Sequence, residues 1–170
     1  KKSFLKEKNI IKNFKKRLLI CAASTHNGEE EIFVKSHLQL KKNHKKLLTI
    51  IIPRHIKRTD EIIETIKNYN LKYELHSDKK NLKSNPDIYL VDSYGQNENF
   101  YSISKTVFMG GSFIKHGGQN PLEAVRYNCN ILHGPNVFNF TEIYKFLDKQ
   151  KISKKIHTLN QAVKILDKLF

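Results

Sequence analysis

From residue 17 onward, short apolar runs alternate with amphipathic stretches. The runs predict six buried strands, at residues 18–23, 47–52, 72–76, 88–91, 106–109 and 130–132. Most of these runs are continuous because a strand covered on both faces needs no polar side. The amphipathic stretches predict helices at residues 28–42, 59–69, 98–104, 121–127, 140–149 and 159–170. Buried strands that alternate with helices predict an α/β fold with a doubly wound, mostly parallel, Rossmann-like sheet.

The first 16 residues differ from the rest, because lysines outnumber a few scattered apolar side chains there. We interpret residues 1–16 as a short basic helix or a linker. Residues 17–170 then form one domain, which is an ordinary size for a single core.

Composition excludes fewer possible functions than the pattern of apolar and polar positions does. The chain carries 31 Lys and Arg against 16 Asp and Glu, a net charge of +15, yet only four of the 31 are arginine. The lysines indicate either compositional bias or attraction to an anionic partner such as acidic lipid or nucleic acid. We predict that Cys21 and Cys129 are reduced core thiols, because their spacing fits neither a disulfide scaffold nor a metal site.

Polar loops follow several of the predicted strands, where doubly wound sheets bind their ligands. Residues 24–31 start with small side chains, so their turn either offers free amides to an anion or simply caps a helix. Arg54 follows the second strand, where it either holds a phosphate or lies solvated at the rim. Neither a GxGxxG fingerprint nor a Walker A loop is present.

The densest signal follows the fifth strand. Four glycines fall within residues 110–118, which indicates unusual backbone dihedrals or close approach of another chain segment. Asn120 is a good helix cap, and Pro121 suits the first helical position. The helix start therefore predicts a phosphate site, with Glu123 placed to accept hydrogen bonds from ribose hydroxyls.

Five sequence blocks together resemble the carboxyl-terminal half of bacterial 3-deoxy-D-manno-oct-2-ulosonic acid (Kdo) transferases. They keep the order of that family and span residues 17–145. The blocks are Ala23–His26 with Gly28–Glu30, Pro53–His55, Asp92–Gly95, Gly110–Phe113 through Asn120–Glu123, and Gly134–Pro135 with Phe138–Phe140. The chain departs from the family at Gln96 and Gln119, where an acidic residue and a histidine are expected.

The resemblance implies the donor-binding half of a two-domain, GT-B glycosyltransferase. Such an enzyme transfers Kdo from CMP-Kdo to the lipid A precursor, with inversion and without a metal or cofactor. The general base and the acceptor surface belong to the amino-terminal half, so no catalytic residue is expected in this chain. We expect the full-length enzyme at the cytoplasmic face of the bacterial inner membrane, and this chain to be a soluble fragment, inactive alone.

The resemblance also implies which residues form the site. Arg54 and the helix start at Asn120 are assigned to the phosphate, Glu123 to the ribose and the segment 94–96 to the cytosine. The expected nucleotide-binding residues are Pro53, Arg54, Tyr94, Gly95, Gln96, Asn120, Pro121, Leu122 and Glu123. The residues expected to line the crevice are Ser24, Thr25, His26, Glu30, Gly110, Gly111 and Ser112.

Two other functions stay open at this stage. Another GT-B enzyme with a uridine or guanosine donor would share the glycine loop and Glu123. A basic nucleic-acid-binding α/β module would suit the charge, but arginines are few and no RNP-like strand occurs, so no specific nucleic acid is expected. An anionic membrane surface remains a compatible partner for the lysines, among them Lys41, Lys42, Lys45 and Lys46.

Overall fold

The computed structural model describes residues 10–78 and 85–170, and in it seven strands form one wholly parallel sheet. The strands are β1 (Leu18–Thr25), β2 (Leu47–Pro53), β3 (Tyr73–Leu75), β4 (Ile88–Leu90), β5 (Thr106–Met109), β6 (Asn130–His133) and β7 (Ser153–Lys155). Their order is β3-β4-β2-β1-β5-β6-β7. The chain winds outward from β1 in both directions, so the predicted doubly wound α/β fold is confirmed. The point where strand order reverses lies between β1 and β5.

Helices cover both faces of the sheet. In the described residues they are α1 (Glu29–Lys41), α2 (Thr59–Asn68), α3 (Asn97–Tyr101), α4 (Leu122–Arg126), α5 (Thr141–Lys149) and α6 (Leu159–Asp167), with 3₁₀ turns at Ile56–Arg58 and Phe138–Phe140. Each predicted helix is present, although several are shorter than the pattern indicated.

Strand β1 shows why the apolar runs are continuous. Cys21 and Ala23 pack into the core that holds residues of α3, α4 and α5. Ile20 and Ala22 point the other way, into the core that holds residues of α1 and α6. Residues 20–23 are therefore buried on both faces of the strand, which is why no polar side chain occurs among them.

Strand β7 was absent from the sequence-based prediction. Its residues are Ser-Lys-Lys, and both lysines are exposed while Ser153 pairs with Ile131 of β6. Lysine on an edge strand discourages pairing with another chain, which is why such strands carry little hydrophobic signal.

Part of the segment before residue 17 packs into the hydrophobic core. Residues 10–14 are helical, and Ile10 and Phe14 are buried. The ring of Phe14 lies edge-on to Tyr89 with centroids 4.8 Å apart. Residues 1–9 lie outside the described part of the chain, and the predicted domain boundary at residue 17 stays a prediction.

The two thiols behave as predicted. Cys21 and Cys129 are buried and unpaired. Burial raises the pKa of Cys21 to about 12 and that of Cys129 to about 11, so both are protonated at neutral pH. Separately, no helix in the described residues is both long and apolar enough to cross a bilayer.

Candidate functional site

The loops after β1, β2 and β5 meet where the strand order reverses. The backbone N–H of Arg54 donates to the carbonyl of Thr25 over 3.0 Å, and that of Gly110 donates to Ala23 over 2.8 Å. The ring of His26 lies near the rings of both His55 and His116. Residues that sequence analysis assigned to one crevice are therefore brought together by three adjacent strands.

Gly110 allows the closest of these approaches. Ser24 has a positive φ of 54°, and the pairing of β1 with β2 shifts register there, between Ala23 and Thr25. This bulge turns the Ser24 carbonyl toward β5, so a Cβ added to Gly110 would lie 2.1 Å from the Ser24 oxygen. Only glycine fits, which confirms close approach as one reason for the glycine-rich loop.

Positive backbone dihedrals are the second reason. Gly111, Gly117 and Gly118 have φ of 67°, 97° and 76°. A non-glycine residue adopts such values only at a cost in strain. The expectation that this loop needs unusual dihedrals is therefore confirmed.

The carboxylate of Glu29 holds the loop in place. Glu29 is the first residue of α1 and is fully buried. It accepts hydrogen bonds from four backbone N–H groups, at distances of 2.7–3.0 Å; the donors are His26, Gly111, Ser112 and Phe113. Burial raises the pKa of Glu29, and these four donors act in the opposite direction.

The hydrogen bonds to Glu29 occupy amides that a ligand could otherwise use. The amides of Gly111 and Ser112, which were expected to line the crevice, already donate to a protein anion. Ser112 is fully buried, and its hydroxyl donates to Met109 and accepts from Gly134 within the loop. These residues shape the loop, and their amides are not free for a phosphate.

Glu30, the neighbour of Glu29, pairs with an arginine that sequence analysis did not single out. Its carboxylate oxygens lie 2.8 and 3.3 Å from the guanidinium nitrogens of Arg58. Arg58 also bonds to Glu61 and Asn27. Glu30 is buried, and its ion pair with Arg58 connects α1 to the segment after β2.

The turn before α4 is largely exposed to solvent. The Oδ1 atom of Asn120 accepts a hydrogen bond from the N–H of Leu122 over 3.0 Å, so Asn120 caps the helix by its side chain as expected. Asn120, Leu122 and Glu123 are exposed, while Pro121 is buried. Behind the turn, the buried Tyr144 donates its hydroxyl to the Gln119 carbonyl over 2.9 Å.

The segment after β4 is also open. Tyr94 is 62% exposed, and Gly95 has a positive φ of 74° with no atom near its missing Cβ. The side chain of Gln96 accepts from Asn99 at the start of α3. Asp92 accepts from Ser77, so it braces the end of β3. The contacts that Pro53, Arg54 and residues 94–96 and 120–123 make with a nucleotide stay predictions.

Within the described residues, no group of three or more His, Cys, Asp or Glu side chains is arranged to hold a metal ion. The expectation that the enzyme works without a metal stays a prediction.

Known proteins resemble this chain in sequence and in fold. No family model matches. A 3-deoxy-D-manno-octulosonic acid transferase of Haemophilus influenzae is 39% identical over 126 residues, which are 74% of this chain and 30% of that protein. A bifunctional glycosyltransferase/methyltransferase of Fusobacterium nucleatum is 34% identical over 95% of this chain and 25% of its own length. The chain thus spans less than half the length of these curated relatives.

A solved structure covers a comparable length. It is the crystal structure of the C-terminal CMP-Kdo binding domain of WaaA from Acinetobacter baumannii. The match has a TM-score of 0.84 and 30% sequence identity, and it covers 91% of this chain and 80% of the other.

Replacing Glu29 tests its structural role. Glu29→Ala leaves four buried amides without their acceptor, each at a cost of about 1–3 kcal/mol, so we expect the free energy of unfolding to fall by at least about 3 kcal/mol. Glu29→Gln keeps one acceptor oxygen and should lose less. Urea unfolding measures both, with the exposed Glu64→Ala on α2 as the control. A Glu29→Ala chain as stable as the control would contradict this role.

Proposed function

The chain belongs to the Kdo transferase family, and from that premise we propose that it is the domain that binds the donor, CMP-Kdo. The match to a CMP-Kdo binding domain over 80% of its length carries this proposal. The structure supports it, because the exposed side chains of Arg54, His55 and His116 follow adjacent strands beside the point where strand order reverses, where such sheets bind ligands.

The proposed role of this domain is to bind the leaving group. As the bond between Kdo and CMP breaks, negative charge grows on the phosphate. Arg54 is exposed at the end of β2, and no carboxylate of the described residues pairs with it. The guanidinium of Arg54 and the start of α4 would stabilise the growing charge, and loss of one such donor typically costs on the order of 100-fold in rate.

The other nucleotide contacts follow from exposure. Glu123 lies one residue into α4 with an exposed carboxylate, which suits it to accept from ribose hydroxyls. Tyr94 presents an exposed ring beside Gly95, where the backbone can approach a flat base closely. We assign the cytosine to that segment.

The rest of the reaction is proposed for the part of the relatives that this chain does not cover. That part would supply the general base and bind the lipid A precursor, and the transfer would invert the sugar without a metal ion. This chain alone is then expected to bind CMP and to transfer nothing.

Calorimetric titration with CMP tests the donor proposal. Arg54→Ala should weaken CMP binding by roughly tenfold or more, the value of one charge-assisted contact, and should weaken binding of cytidine, which lacks the phosphate, by less. Glu123→Ala should weaken CMP and cytidine alike. Arg126→Ala, another exposed arginine, is the control and should bind as the wild type does.

The same titration separates the alternatives. Tighter binding of UMP or GMP than of CMP would favour a GT-B enzyme with another donor. Failure of the wild type to bind any of the three nucleotides would contradict the proposal.

We also propose that a lysine-rich surface of this domain binds an anionic membrane, at the cytoplasmic face of the inner membrane. A groove of about 790 Å³ at the amino ends of β1 and β5 is lined by both basic and apolar residues. The basic residues include Lys15, Lys16, Arg17, Lys45, Lys46 and Lys105. Each lysine near an anionic lipid surface contributes about 1 kcal/mol to membrane binding.

Vesicle sedimentation tests the membrane proposal. Lys41 pairs with the carboxylate of Asp87, so it is left intact. Reversal of the exposed Lys42, Lys45 and Lys46 to glutamate should weaken binding to phosphatidylglycerol-containing vesicles by at least about 100-fold, because the loss of three lysines at about 1 kcal/mol each already accounts for that much. The control reverses Lys57, Lys67 and Lys149, which are exposed elsewhere. Equal losses in both triple variants would mean that net charge alone drives binding.

A further inference from the structure

Three imidazoles from three loops form a cluster that the nucleotide contacts leave unused. His26 follows β1, His55 follows β2 and His116 lies in the glycine loop after β5. The ring centroid of His26 is 5.9 Å from that of His55 and 4.2 Å from that of His116. We call these residues the histidine cluster. Ninety residues of sequence separate its first and last members, so only the sheet order brings them together.

His26 is the buried member of the histidine cluster. It is 8% exposed, and its Nδ1 atom lies 3.1 Å from the Ser24 carbonyl, which marks Nδ1 as the protonated nitrogen. Burial and the neighbouring His116 lower the pKa of His26 to about 4, so the ring is neutral at physiological pH. Its Nε2 atom is therefore a hydrogen-bond acceptor.

That acceptor has no donor among the described residues. Nε2 of His26 is buried without a hydrogen-bond partner, and so is the hydroxyl oxygen of the adjacent Thr25. Buried polar groups in proteins are nearly always paired, so two unpaired atoms on consecutive residues point to a ligand that supplies hydrogen bonds.

The surroundings of the histidine cluster are cationic. Arg54 is close enough to contribute to the lowered pKa of His26. Glu29 lies 3.9 Å from His26 Nδ1, but its charge is engaged by four backbone N–H groups. His55 and His116 are exposed, and no carboxylate of the described residues pairs with either.

We propose that the histidine cluster is the subsite for the acidic sugar of the donor, which rests on the proposed function. The sugar carboxylate lies against His55 and His116 on the side nearest Arg54, and a sugar hydroxyl donates to Nε2 of His26. Because one ligand then needs both an anion and hydroxyl donors, the cluster selects a 2-keto acid sugar over a neutral one.

The test compares freshly prepared CMP-Kdo with CMP, which share the cytidine and the phosphate group. CMP-Kdo adds the acidic sugar, and its phosphate is a diester with one negative charge fewer than that of CMP. We expect the wild type to bind CMP-Kdo about tenfold more tightly than CMP, the value of about one charge-assisted hydrogen bond. The double variant His55→Gln/His116→Gln changes two exposed side chains, so folding is not at stake. It should lose this preference while its affinity for CMP falls less than threefold. His157→Gln replaces an exposed histidine elsewhere and is the matched control.

Each outcome decides a different question. A double variant that keeps the preference for CMP-Kdo, or that loses both ligands equally, overturns the subsite. A wild type that binds CMP without favouring CMP-Kdo overturns it as well but leaves the nucleotide site standing. A wild type that binds neither ligand contradicts the proposed function and the subsite together.

Discussion

The carboxylate of Glu29 is the contact on which the site depends. A buried carboxylate is costly unless hydrogen bonds replace its water, and here four backbone N–H groups do so. One donor follows β1 and three follow β5, so a single side chain at the start of α1 joins the two strands where strand order reverses. The bulge at Ser24 and the bare Gly110 let these segments approach closely enough for the contact to form.

This contact decides where a ligand anion can bind. A glycine loop beside a strand end usually offers its amides to a phosphate. Here the amides of residues 111–113 already donate to a protein carboxylate, so we assign the phosphate to the exposed Arg54 and the turn at Asn120. The same carboxylate also accepts from the backbone N–H of His26, a member of the histidine cluster.

The sequence predicted the elements better than the contacts between them. Apolar runs revealed the strands that are buried on both faces. The half-buried edge strand β3 gave a weaker pattern, and β7, with two exposed lysines, gave none. Three consecutive glutamates start α1, and their pattern cannot show that Glu29 accepts hydrogen bonds from the loop after β5 while the equally buried Glu30 pairs with Arg58. Arg58 and the histidine cluster depend on the order of strands in the sheet, which local patterns do not encode.

The central claim is that the nucleotide binds outside the amides held by Glu29. A ¹⁵N-labelled chain titrated with CMP and followed by amide chemical shifts tests it directly. We predict the largest shifts at Arg54, Gly95 and Glu123, with the amides of Gly111, Ser112 and Phe113 nearly unmoved. Largest shifts at residues 111–113, or none near Glu123, would contradict it.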